Sequence, residues 1–177
     1  MRNHIALILV LIAHSAMGQK YTLEKSKVVF FSDAAIEDIR AENSKALSIY
    51  NSETNEVVFS IPIAQFNFEN STMRVHFNEK YMETEKHPNA TFQGKFNQFT
   101  FESDQTQHVV ATGKLAIHGV TREVEIPGTI QVTEQRILAK AIFMIKLADY
   151  NIKIPQLLWQ KIAEQVEVTV EFTFRPQ

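Results

Sequence analysis

Between Gly113 and Gly128, apolar side chains recur at every second position on both sides of a glycine-containing break. Gly113, Leu115 and Ile117 share one face of the first arm, and Val124 and Ile126 share one face of the second. His118, Gly119, Val120, Thr121 and Arg122 lie between the arms. Successive side chains of a strand point to opposite faces, so the pattern predicts an antiparallel hairpin with one face turned to a core. No other stretch combines such regular alternation with such a well-marked turn.

The same period runs through the rest of the chain. Val57, Phe59, Ile61 and Ile63 alternate, as do Ala90, Phe92, Gly94 and Phe96. Ile137, Ala139, Ala141, Phe143, Ile145 and Leu147 share a face of a long strand whose other face also holds Leu138, Ile142 and Met144. That strand is expected to be covered on both sides. Val166, Val168, Val170, Phe172 and Phe174 alternate with Glu167, Thr169, Glu171 and Thr173. Tyr21–Leu23 and Lys27–Phe31 read as two short strand pieces about a polar break, and Gln98–Phe101 extends the Ala90–Phe96 strand.

Helical spacing is confined to three places. Ser32 or Asp33 precedes Ala35, Ile36 and Ile39. Asn70 or Ser71 precedes Met73, His76, Phe77, Lys80 and Tyr81. Pro155 precedes Leu157, Leu158, Trp159 and Ile162. Each begins with a residue suited to a helix start. About eight strands joined by short turns, with two or three short helices, argue an all-β antiparallel barrel or sandwich. Cysteine is absent, so no disulfide framework supports the fold and the core must do so. A closed barrel suits such a chain because it leaves no free edge.

The first eighteen residues have the pattern of a secretory signal. Arg2 is followed by the apolar run Ile5–Ile12 and by Ala16-Met17-Gly18. The run is too short to span a bilayer, so no stable membrane insertion is expected. Cleavage near Gly18 would leave residues 19–177 as one domain, exported to a periplasm or secreted. The removed segment holds one basic residue and no acid, so the remainder carries a net charge of −3 against −2 for the whole chain. There is no basic cluster and hence no nucleic-acid partner.

Several stretches together resemble the YceI-like family of exported polyisoprenoid-binding β-barrels. They are Gly113-Lys114-Leu115-Ala116-Ile117-His118-Gly119-Val120-Thr121-Arg122-Glu123-Val124, then Met73–Met82 with His87-Pro88-Asn89-Ala90-Thr91-Phe92, and finally Leu147–Ile152 with the strand from Glu167. The resemblance spans essentially all of residues 19–177. It implies a lipocalin-like antiparallel barrel that holds a long apolar chain, with no catalysis and no cofactor. The sequence departs from the family's pattern at Asn151, where a glycine is common, and in Ser32–Glu42, which lacks glycine.

On the apolar inner register, with the resemblance beside it, the expected cavity wall comprises Phe59, Ile61, Phe77, Phe92, Phe96, Leu115, Ile117, Val124, Ile126, Phe143, Ile145, Val170 and Phe172. Gly94, Gly113, Gly128, Ala139 and Ala141 are small inward residues expected to leave room. The expected partner is one long apolar small molecule, isoprenoid or fatty-acid-like. The alternative is a filled-core interaction or stress-related barrel, since the same Phe-rich register makes a packed interior equally well. Self-association as a homodimer stays open. Met73, Phe77, Tyr81 and Met82 read either as a hydrophobic lid or as a helix simply packed on the barrel.

His76, His87, His108 and His118 show no His-x-His or i, i+4 pairing, so no metal site is expected. His118 is read as part of the turn, or as a contact to a ligand head group. No Gly-x-Ser-x-Gly elbow, carboxylate pair or phosphate loop points to an enzyme.

Overall fold

A computed structural model describes residues 20–34, 38–154 and 162–177. It contains ten strands: β1 (Lys20–Ser32), β2 (Ile39–Asn43), β3 (Leu47–Asn51), β4 (Glu56–Pro62), β5 (Asn67–Phe68), β6 (Asn89–Phe96), β7 (Gln107–Ile117), β8 (Val120–Thr133), β9 (Arg136–Lys146) and β10 (Gln165–Pro176). Eight of them close a ring in the order β1-β3-β4-β6-β7-β8-β9-β10, and β10 pairs back onto β1. Every pairing is antiparallel. β2 and β5 form a short flap on the second half of β1. The expected barrel is therefore present.

The polar break in the first strand is not a break. β1 runs unbroken, with a register shift between Leu23 and Lys25 against β10. One extra residue in one strand is a bulge, which bends a strand without ending it. Its two halves serve two neighbours, β3 at the start and β2 at the end.

The helix expected after Ser32 is not seen where it can be checked. Ile39 opens β2, pairing with Ser32, while Ala35 and Ile36 lie outside the described residues. Pairing with β1 overrides the helical spacing there. The helix expected after Pro155 also falls outside the described residues, apart from Ile162. Gln98–Phe101 is loop, with Thr100 bonded to the Gln107 side chain through both its backbone groups at 2.8 Å. The outer face of β9 is open: Ile142 is 62% and Met144 55% exposed.

The helix expected at Asn70 is present as α1 (Ser71–His76) and continues as a π-helical turn, Phe77–Tyr81. Asn70 Oδ1 accepts from the backbone N–H of Thr72 at 2.9 Å and of Met73 at 3.3 Å. These are donors a helix start leaves unpaired. Asn70→Ala is expected to cost about 0.5–2 kcal/mol in urea unfolding, and Asn70→Ser to restore most of it. An unchanged midpoint for the Ala variant would contradict this cap.

The hairpin turn is tighter than the sequence suggests. Only His118 and Gly119 form it, and Val120, Thr121 and Arg122 already pair with Ile117, Ala116 and Leu115. Both turn residues have positive φ, 50° and 75°. That is the two-residue hairpin geometry whose twist matches the strands.

The barrel interior divides into two halves. At one end Tyr50, Val57, Ile130, Ile137 and Phe174 are essentially inaccessible to solvent. Phe59 stacks on Phe172 at 4.5 Å and meets Phe174 at 6.1 Å. Tyr50 lies 5.6 Å from Phe96 and 6.0 Å from Phe99. The Tyr50 hydroxyl donates to Asn55 Oδ1 at 2.8 Å, and burial pushes its pKa up. These rings form an aromatic plug.

Candidate functional site

The other half of the barrel is open. Here the inner register of β1 and β10 carries Val28, Phe30, Val166, Val168 and Val170. β9 contributes Phe143 and Ile145, β7 Leu115 and Ile117, β6 Ala90, and the end of β4 with its following turn Ile61 and Ile63. Together they enclose a cavity of about 580 Å³. That lies within the range of about 300–1,000 Å³ usual for small-molecule sites.

α1 and its π-helical extension lie over the mouth. Met73, Phe77, Tyr81 and Met82 face the cavity from this side. Phe77 holds the segment down: its ring lies 5.3 Å from Phe30, 5.8 Å from Phe66 and 5.0 Å from Phe68. These rings tie the helix to β1 and to the β2–β5 flap. Asn43, fully buried, steadies the same rim by donating to the Pro62 carbonyl at 2.8 Å and accepting from Lys45 N–H at 2.7 Å.

Polar side chains reach the cavity from few places. Ser32 is buried and accepts from Ala163 N–H at 2.9 Å. Asn70, Thr72, His76, Lys80 and Tyr81 all belong to the covering segment or its cap. Burial raises the Tyr81 pKa, which keeps the hydroxyl neutral and able to donate.

Seven of the residues expected to form a cavity wall do line this space: Ile61, Phe77, Leu115, Ile117, Phe143, Ile145 and Val170. Six do not. Phe59, Phe92, Phe96 and Phe172 are part of the plug. Val124 and Ile126 are half-buried where β8 parts from β9, because that ladder runs only from Thr133↔Arg136 to Gly128↔Ala141. Residues missed by the sequence reading include Val28, Phe30, Phe66, Phe68 and Leu147. Phe66 and Phe68 carried an alternation signal of their own.

The small residues do not make the room. Gly94 pairs directly with Gly113. A Cβ on Gly113 would sit 2.4 Å from Gln93 O, and one on Gly94 2.7 Å from the Phe92 ring. These glycines let two strands and a ring approach closely. Ala139 faces Phe172 across the ladder, so the plug takes up the space that Ala139 leaves.

His118 does not line the cavity. Its Nδ1 lies 3.1 Å from Tyr150 O and its Nε2 lies 3.3 Å from Glu83 Oε2. His87 packs edge-on against it, with ring centroids 4.8 Å apart. Gly119 lets the His87 ring rest on the turn, since a Cβ there would be 2.7 Å from His87 Cε1. Lys86, and to a lesser extent His118, hold the Glu83 carboxyl below the usual carboxylate range. The four histidines thus divide two and two: His87 and His118 converge with Glu83, while His76 faces the cavity and His108 lies on exposed β7 surface. Glu83 and His87 are four residues apart, a spacing that a search of histidine pairs alone overlooks.

Asn151 has φ 57°, the left-handed conformation in which asparagine is the usual substitute for glycine. Asparagine can therefore stand here where the family commonly has glycine. Arg122 closes the same corner, its Nε donating to Asp149 O at 2.8 Å.

The YceI-like domain profile matches residues 20–174. The chain belongs to the YceI-like family. Among solved structures it is similar to a polyisoprenoid binding domain from Saccharophagus degradans, with TM-score 0.77 and 17% identity over 89% of this chain and 98% of that one. BcnA of Burkholderia cenocepacia superposes with TM-score 0.71 at 17% identity, covering 84% and 95%. The Campylobacter jejuni YCEI protein does so with TM-score 0.56 at 17% identity, covering 100% and 90%. No curated protein matches the chain in sequence. The fold shared with these structures is a closed antiparallel barrel. Among the described residues, no helix is long and apolar enough to cross a membrane.

Proposed function

We propose that this protein is a non-catalytic carrier that holds one long apolar molecule, isoprenoid in class, in the open half of its barrel. The observation that carries this reading is the cavity of about 580 Å³, apolar on the barrel side and polar only at Ser32 and along the covering segment. Each methylene buried there contributes about 0.8 kcal/mol. The polar end of the molecule then sits under α1, beside His76, Lys80 and Tyr81. A head-group contact to His118 is not part of this reading, because both its ring nitrogens face protein oxygens. The cavity counts against a wholly filled barrel. The polyisoprenoid binding domain of similar fold supports the ligand class.

Export is part of the same proposal, on the pattern of Arg2, Ile5–Ile12 and Ala16–Gly18. The test is to express the full chain and recover it from the exported fraction. N-terminal sequencing is expected to begin near Gln19. Native mass spectrometry and solvent extraction are expected to find one long-chain apolar molecule per barrel. Protein recovered repeatedly without any such molecule would overturn the carrier reading.

A further inference from the structure

Glu83, His87 and His118 lie outside the cavity wall, where the segment after α1 meets the β7–β8 turn. Their donor atoms all fall within 4.8 Å of one another, and all three residues are partly buried. The Tyr150 carbonyl oxygen can only accept, so its contact with His118 places the ring proton on Nδ1. In the neutral ring, Nε2 then presents a lone pair. What it faces at 3.3 Å is Glu83 Oε2, another acceptor. Two acceptors so placed repel each other unless positive charge lies between them. His87 brings a third donor to the same spot.

We propose that Glu83, His87 and His118 bind a divalent transition-metal ion of the zinc class, with a further coordination position open to water. Two imidazoles and one carboxylate are a recurrent zinc donor set. With bonds of about 2.0–2.2 Å, tetrahedral donors stand about 3.3 Å apart. The His118 Nε2–Glu83 Oε2 distance is already 3.3 Å. Closing the remaining span takes at most about 1.5 Å, a side-chain rotation, for bonds of that length. The Tyr150 carbonyl supplies the outer partner that orients a metal-bound imidazole.

The backbone agrees with a built site. Glu83 has φ 43°, a conformation costly for a residue with a Cβ. Glu83 is held there by its carbonyl, which accepts from Lys86 N–H at 2.8 Å and His87 N–H at 2.9 Å. Lys86 pairs with the other carboxylate oxygen, Oε1, leaving Oε2 to the ion. A bound ion ties the covering segment to the hairpin beside Met82 and Ile117, both of which line the cavity.

The test uses tag-free protein freed of metal by chelation. Calorimetric titration with Zn²⁺ is expected to saturate at one ion per chain and to raise the Tm by mass action. Co²⁺ is expected to give the intense visible bands of a tetrahedral site. His87→Ala and His118→Asn should each weaken Zn²⁺ binding at least about tenfold, as loss of even an outer partner does. Asparagine tolerates positive φ and keeps a donor for Tyr150 O. His108→Ala, on exposed β7 surface, should bind like the wild type. Absence of Zn²⁺ binding by the wild type, or unchanged affinity in His87→Ala, overturns the proposal. If His118→Asn does not fold, His87→Ala and Glu83→Gln decide. The outcome is independent of whether the cavity holds lipid.

Discussion

A Phe174→Ala protein is expected to unfold at a temperature about 6–20 °C below the wild type. Phe174 has no solvent exposure and lies between Tyr50 and Phe59, at ring distances of 6.3 and 6.1 Å. Removing a buried phenyl ring costs about 3–5 kcal/mol, because lost transfer energy adds to a cavity that the surroundings cannot fill. For a domain of this size each kcal/mol lowers Tm by about 2–4 °C. The neighbours here are ladder-bound: Phe174 pairs with Ile137 on one side and Leu23 on the other. Such strands cannot collapse inward. The chain has no cysteine to compensate. Differential scanning calorimetry checks the shift, and a loss below about 1 kcal/mol would show that the plug does not dominate stability. Ligand content per folded molecule should not change, since Phe174 is absent from the cavity wall.

Val168→Trp should do the reverse. Val168 lines the cavity and pairs with Phe143 and Phe30, both of which also line it. An indole projecting from this position fills space that is open rather than packed, so the usual overpacking cost of about 1–3 kcal/mol is largely avoided. The apolar molecule of the proposed function would lose the volume it needs. Its retention, read by native mass spectrometry on protein prepared in parallel with the wild type, should fall at least tenfold, which is about 1.4 kcal/mol. Undiminished retention with a folded barrel would place the ligand elsewhere. The two variants together separate a half that holds the barrel up from a half that is open.

That division was not readable from the alternation. Phe59 and Ile61 share one face of β4, and Phe172 and Val170 share one face of β10. Period two states only that these side chains point inward. Whether an inward side chain meets another ring or open space depends on its height in the barrel and on what crosses the axis there. The loop carrying Phe99 and Phe101 closes the plug end, with those rings 5.0 Å apart. α1 spans the other end as a roof. Ile39 shows the same limit: helical spacing in the sequence yields to a free edge of β1 that a strand can pair with.

The sequence by itself determined that this chain is all-β and antiparallel, a barrel or a sandwich with an apolar interior. Alternation, turn residues and the Asn70 cap are local signals, and local backbone geometry answers to them. It also carried the family motifs that the domain match covers. Only the tertiary structure decided which inward residues plug the barrel and which line a cavity. Only it brought Glu83 and His118, 35 positions apart, to 3.3 Å. Barrel closure joins strands remote in the chain, so the emptiness of one half and the meeting of three donors are properties of the ring. The hairpin from Gly113 to Gly128 belongs to both accounts. Its strands were visible as a pattern, whereas its two-residue turn is what carries His118 to Glu83 and His87.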